Sequence, residues 1–135
     1  MRVIILFFAC ALSGATTAQD LDPRNGQALY DSYCTQCHGT DAMGTGPMSS
    51  ILNVEIPDLT QISGRNGGTF PIDQVSMQID GRARLLAHGG DMPVFGPMLD
   101  SARQIPMQLP SGQTLMVSQP MAELLAYLAS LQSEE

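Results

Sequence analysis

The chain has 135 residues, of which 13 are acidic and 6 basic, for a formal net charge of −7 at pH 7. This length suits one compact domain, and an acidic surface would repel nucleic acid and anionic lipid, which argues against both as partners. Aromatic residues make up 5% of the chain and Trp is absent, so we expect something other than large side chains to fill the core.

Residues 1–18 have the features of a secretory signal peptide. Arg2 gives a positive start, Val3 to Leu12 are almost entirely apolar, and small residues follow as far as Ala18. A membrane anchor and lipidation at Cys10 are the alternatives, and the apolar run is short for a helix that spans a bilayer. We therefore expect cleavage after Ala18, export to the periplasm, and a mature domain of residues 19–135.

Three helices are predicted in the mature domain. The first begins at Asp22-Pro23, because Asp suits an N-cap and Pro the first helical position, and it runs into Cys34. The second follows Pro71 and stops at Gly81. The third follows Ser118 and has a wide apolar stripe. That stripe consists of Met121, Leu124, Leu125, Leu128 and Leu131.

Loops rich in Gly and Pro separate these helices, over residues 39–57, 64–71 and 89–97. Residues 98–117 could form a small β-hairpin around Pro110-Ser111-Gly112. Three modest helices and this much loop supply few of the packed layers that usually make a core. A large buried cofactor would complete it.

The sequence Cys34-Thr35-Gln36-Cys37-His38 is a C-x-x-C-H motif, the attachment signature of c-type haem. Two thiols at this spacing lie on one side of a single turn, and His38 can then present a neutral imidazole nitrogen to the iron. A thioredoxin-like redox pair would want a βαβ context, and a zinc site would want a second Cys pair. The motif therefore predicts one covalent haem c bound through Cys34 and Cys37, with His38 as an iron ligand.

Met92 is the candidate for the sixth iron ligand. It lies in an irregular loop, Gly90-Asp91-Met92-Pro93-Val94-Phe95-Gly96, far enough along the chain from His38 to reach the opposite face of a haem. The other methionines are expected to be packing residues. His88, beside a pair of glycines, is the rival ligand.

These residues resemble the small class I cytochromes c of bacteria. Gly46-Pro47 is similar to the Gly-Pro of that family, whose proline carbonyl accepts a hydrogen bond from the proximal histidine, and residues 92–96 are similar to its axial-methionine loop. The resemblance implies an all-α fold of short helices and loops wrapped around one covalent haem. It also implies that the C-terminal helix crosses the N-terminal one near Gly26 and Tyr30. The segment 97–119 is longer than the shortest members carry.

Three arginines could pair with the haem propionates, because the guanidinium fork matches a carboxylate. They are Arg65, Arg82 and Arg84. Arg82 is favoured by its place just after the second predicted helix, and the alternative is that each is a solvated surface charge.

The resemblance implies a one-electron carrier. With His38 and Met92 both bound to the iron, no small-molecule substrate could reach the metal, so we expect no enzyme activity. We expect a monomer whose partners are redox proteins, as in a respiratory chain, with a basic docking patch. The alternatives are an electron-entry subunit of a larger redox enzyme and, if the sixth site is open, a haem enzyme or gas sensor.

Overall fold

The computed structural model describes residues 21–83 and 91–133. Within these ranges there are five α-helices and one antiparallel sheet of two strands. The helices are α1 (Pro23–Tyr33), α2 (Thr35–His38), α3 (Ile62–Arg65), α4 (Ile72–Asp80) and α5 (Gln119–Ser130), and the strands are β1 (Gln104–Gln108) and β2 (Thr114–Ser118). Short 3₁₀ helices occupy Pro47–Ser50, Leu59–Gln61 and Gly96–Met98. The predicted all-α fold with a small hairpin is confirmed, whereas the predicted signal peptide, Arg84 and His88 lie outside the described residues.

The three predicted helices correspond to α1, α4 and α5, and each has a predicted capping or terminating residue at one end. Asp22 caps α1, since its Oδ1 accepts the amide of Arg24 at 3.0 Å and Pro23 takes the first helical position. Ser118 caps α5, because its Oγ accepts the amide of Met121 at 3.4 Å. Helix α4 ends at Gly81, whose φ of +87° lies in the left-handed region that glycine adopts without strain. None of the helices in the described ranges has the length and apolar character needed to cross a membrane.

Helices α1 and α5 cross at the centre of the core. Gly26 makes the close approach possible, because a Cβ atom there would come within 2.7 Å of the carbonyl carbon of Glu123. One turn further on, the rings of Tyr30 and Tyr127 pack at 5.5 Å between centroids. Asn25 Nδ2 donates to Glu123 Oε1 at 3.1 Å and ties the crossing at its polar rim. The predicted contact of the two helices is therefore confirmed at both residues.

The hairpin of β1 and β2 packs beside α5. Ile105 and Val117 are opposite each other in the register and both are buried. Two backbone hydrogen bonds flank the hairpin: Leu109 N–H donates to Gln113 O, and Gln119 N–H donates to Arg103 O. Because hydrogen-bonded and non-hydrogen-bonded pairs alternate along an antiparallel ladder, the odd-numbered residues of β1 are the hydrogen-bonded ones. Pro106 therefore falls at a position whose amide would face away from the partner strand, which is where an edge strand tolerates proline.

Candidate haem site

The C-x-x-C-H motif forms one helical turn directly after α1. The amide of Cys34 donates to Tyr30 O at 2.8 Å, and the amide of His38 donates to Cys34 O at 2.9 Å. This i, i+4 spacing sets Cys34 and His38 above one another on the helix surface. The thiols of Cys34 and Cys37 are half-buried and not joined to each other. Burial and the neighbouring Cys37 raise the pKa of Cys34 to about 11, so this thiol is neutral at physiological pH.

The imidazole of His38 is buried, with 8% of the residue exposed. Its Nδ1 lies 3.4 Å from the carbonyl oxygen of Pro57. A carbonyl oxygen can only accept, so Nδ1 carries the proton and Nε2 has the free lone pair. Burial lowers the pKa of His38, and the Pro57 contact offsets part of that effect. The structure thus presents a neutral imidazole, the form that binds iron.

The residue that holds His38 is Pro57, so the expectation that Pro47 supplies the carbonyl is wrong. The Gly46 amide donates to Cys37 O at 3.1 Å, and a Cβ at position 46 would come within 2.6 Å of that oxygen. Gly46-Pro47 therefore runs along the backbone of α2. The chain returns to the imidazole ring only ten residues later.

The loop between these two points is fixed by its own hydrogen bonds. Gly39 has a φ of +78°. Asp41 Oδ1 accepts both the amide of Met43 and the hydroxyl of Thr45 at 3.0 Å. The amide of Leu59 donates to Ala42 O at 2.7 Å and brings the Pro57 segment against the loop. Backbone and side-chain contacts together hold the ring partner of His38 in place.

Met92 is half-buried and packs against the core. Its loop continues to Phe95, whose amide donates to Ile79 O at 2.9 Å and whose ring lies 6.1 Å from that of Tyr33. Tyr33 directly precedes Cys34. The loop that carries Met92 therefore contacts both the C-terminal end of α4 and the residue just before the haem motif. Axial ligation by Met92 stays a prediction, and the rival His88 lies outside the described residues.

The residues around the motif fit a covalent porphyrin. The donor set is two free thiols and a neutral imidazole, which suits thioether attachment and iron ligation. The chain that follows the motif leaves large apolar side chains uncovered, with Ile51 69% and Met43 55% exposed. Such side chains are ready to contact an apolar macrocycle. In the part of the chain that the structure describes, no three His, Cys, Asp or Glu side chains gather as a metal cluster.

The family model described as Cytochrome c matches residues 23–132. The chain belongs to the cytochrome c family. The matched range runs from the first residue of α1 to Gln132, just after α5, so it includes the motif, the Met92 loop and the hairpin. This cytochrome c accordingly carries covalent haem c and has the domain of a haem-binding electron carrier. Comparisons with curated proteins and with solved structures found no match.

Two of the three arginines considered for the propionates, Arg82 and Arg65, have partners within the protein, and Arg84 lies outside the described residues. Arg82 Nε donates to Asp80 Oδ2 at 2.6 Å, and Arg65 Nη2 donates to Asp58 O at 2.7 Å. A haem propionate would therefore compete with the Asp80 carboxylate for the Arg82 guanidinium. The role of Arg82 at a propionate stays a prediction.

Gln132 is a supporting residue that the sequence did not reveal. Its Nε2 donates to Leu59 O at 2.9 Å and its Oε1 accepts the amide of Ser63 at 2.8 Å. These bonds anchor the segment that follows Pro57 to the residues just after α5. A lone glutamine after the last apolar position of a helix has no sequence signal that would predict such a contact.

Proposed function

We propose that this cytochrome c carries single electrons, with its haem bonded to Cys34 and Cys37 and its iron bound by His38 and Met92. The observation that supports the proposal best is the state of His38. The ring is buried and neutral, its Nδ1–H faces the Pro57 carbonyl, and its Nε2 is left to bind metal. It stands one helical turn from Cys34, in the register that the motif requires.

The haem supplies the Fe(III)/Fe(II) couple, and the protein sets its surroundings. Cys34 and Cys37 would fix the porphyrin to the turn of residues 34–38, so the cofactor would keep one orientation relative to His38. The Pro57 carbonyl orients the imidazole and raises its basicity. Met92 is proposed to close the sixth position, which excludes substrates and, relative to two nitrogen ligands, raises the reduction potential.

The charge of the chain supports a docking mode as well. Its 13 acidic residues against 6 basic ones favour a redox partner with a basic docking patch and a contact that is brief and steered by charge. We further propose that the mature domain is a monomer exported to the periplasm, as the features of residues 1–18 suggest.

The replacement Met92→Ala tests the proposed ligand set. We expect the variant to keep its covalent haem, to lose the long-wavelength charge-transfer band that marks iron–thioether ligation, and to bind CO when reduced. Met98→Ala is the matched control, since Met98 is an exposed methionine in the following 3₁₀ helix. If the wild-type protein itself binds CO readily and lacks the band, it is a haem enzyme or gas sensor and the carrier function is wrong.

A further inference from the structure

Tyr30 donates a hydrogen bond to the residue that follows His38. Its hydroxyl lies 2.7 Å from the carbonyl oxygen of Gly39. The tyrosine is fully buried, with 0% exposed, and its ring packs against that of Tyr127. Burial, more than any neighbouring charge, raises the pKa of Tyr30 well above its ordinary value. The hydroxyl therefore keeps its proton and acts as a donor throughout the physiological range.

The peptide that Tyr30 contacts is where the chain turns away from α2. Gly39 has a φ of +78°, and a Cβ there would stand 2.7 Å from Asp41 Oδ1 and from Thr45 Oγ1. The amide of Gly39 donates to Thr35 O at 3.0 Å. Its carbonyl oxygen accepts the Tyr30 hydroxyl together with the amide of Ala42, the latter at 3.3 Å. Of these two bonds, the one from Tyr30 is the shorter, and it comes from the closely packed crossing of α1 and α5.

The contact of His38 with Pro57 is sensitive to small shifts of this turn. At 3.4 Å, the separation of Nδ1 from the Pro57 oxygen is beyond the usual range of about 2.7–3.2 Å for an N–H···O bond. The contact is therefore already long, and a further outward movement of the imidazole by a few tenths of an ångström would break it. Tyr30 and Pro57 hold His38 from two sides, one through the backbone and the other through the ring.

We propose that Tyr30 is a positioning residue for the iron ligand: through Gly39 it holds the His38 backbone so that Nδ1 stays bonded to Pro57. This inference rests on the proposed function, in which His38 binds the iron. A hydrogen bond at Nδ1 makes the imidazole a stronger electron donor. Stronger donation favours Fe(III) over Fe(II) and lowers the reduction potential. Loss of the Tyr30 hydroxyl should weaken the Nδ1 bond and raise the potential.

The test compares Tyr30→Phe with Tyr127→Phe in the haem-loaded protein. Each replacement removes one hydroxyl and keeps the ring of the same aromatic pair. We expect Tyr30→Phe to raise the reduction potential and to displace the hyperfine-shifted NMR resonances of the His38 ring in the oxidised protein. Tyr127→Phe should leave both at their wild-type values. A potential for Tyr30→Phe that equals or falls below that of the wild type would overturn the positioning role.

This test separates the inference from the function on which it rests. If the wild-type protein has no His38 resonances shifted by the iron, the proposed ligand set fails. If those resonances are present and Tyr30→Phe leaves them unchanged, only the role of Tyr30 fails. If Tyr30→Phe does not fold, the reduced wild-type protein decides: a Tyr30 hydroxyl resonance shifted downfield, as in a short hydrogen bond, supports the bond to Gly39, and a resonance at the position of a free phenol overturns the positioning role.

Discussion

Gly26 of α1 lies against Glu123 and Tyr127 of α5, so closely that a Cβ atom at position 26 would stand 2.7 Å from the Tyr127 Cβ. Two helix backbones can approach this closely only where a side chain is missing. Because Tyr30 lies one turn further along α1 and donates to Gly39, the crossing also supports the turn that carries His38. The packing of α1 against α5 therefore helps to fix the geometry of the haem motif.

Gly26→Ala should destabilise the protein, because the added methyl group forces the helices apart. Overpacking of this kind costs about 1–3 kcal/mol, in spite of the better helix propensity of alanine. Denaturant unfolding followed by circular dichroism measures the loss. Gln27→Ala, at an exposed position of the same helix, is the control and should leave the midpoint nearly unchanged. Equal midpoints for the Gly26 variant and the wild type would show that the crossing is looser than described.

Gln132→Ala should loosen the segment that follows Pro57. The variant loses the bonds to Leu59 O and from the Ser63 amide, which together are worth about 1–3 kcal/mol when half-buried. Hydrogen exchange should show faster exchange of the Ser63 amide, and unfolding should begin at lower denaturant. Gln78→Ala, at an exposed position of α4, is the matched control. Unchanged protection of Ser63 would contradict the role given to Gln132.

Helices α1, α4 and α5 were predictable because their end signals are local. Asp22-Pro23 and Ser118 cap helices through neighbouring residues, and Gly81 ends α4 through its own backbone conformation. The hairpin followed in the same way from its turn residues. The partner of His38 was not predictable, because two prolines follow the motif and only the path of the loop decides which of them returns to the ring. The contact of the Tyr30 hydroxyl was not predicted for a related reason: the apolar periodicity of a helix does not indicate what a tyrosine hydroxyl on that face will contact.

Asp41→Asn should reduce the stability of the fold at neutral pH and make that stability change less as the pH falls. The Met43 amide, followed by the Thr45 hydroxyl, lowers the pKa of Asp41 below its ordinary value of 3.8. A lowered folded-state pKa means that the charged form is the one that stabilises the fold. This contribution is present above the unfolded-state pKa of about 4 and is lost as the pH falls through the lower folded-state value. Unfolding midpoints at pH 7 and across the acid range measure it.

We expect the unfolding midpoint of Asp41→Asn to lie below that of the wild type, with a difference that is largest at pH 7 and decreases in acid. Asp31→Asn, which changes an exposed carboxylate of α1, serves as the control for a general loss of one negative charge. A gap of constant size at every pH would mean that the Asp41 carboxylate does not hold the loop as an anion.

The rate of electron exchange with a charged reagent should depend on ionic strength, because the protein surface is acidic. The formal net charge of −7 attracts cationic reagents and repels anionic ones, and ions in solution screen both effects. We expect the oxidation rate of the reduced protein by a cationic cobalt complex to fall as ionic strength rises. The rate with an anionic complex should rise. Stopped-flow absorbance measures both, and the same trend with the two reagents would contradict steering by the acidic surface.

One covalent haem, closed on both faces, is proposed to take up and release a single electron. A spectroelectrochemical titration of the purified haem-loaded protein, with CO added once the haem is reduced, tests this proposal. We expect the spectrum of one haem c per chain, a one-electron transition and no spectral change on addition of CO. A protein without covalent haem, or one whose reduced form binds CO at once, would contradict the proposal.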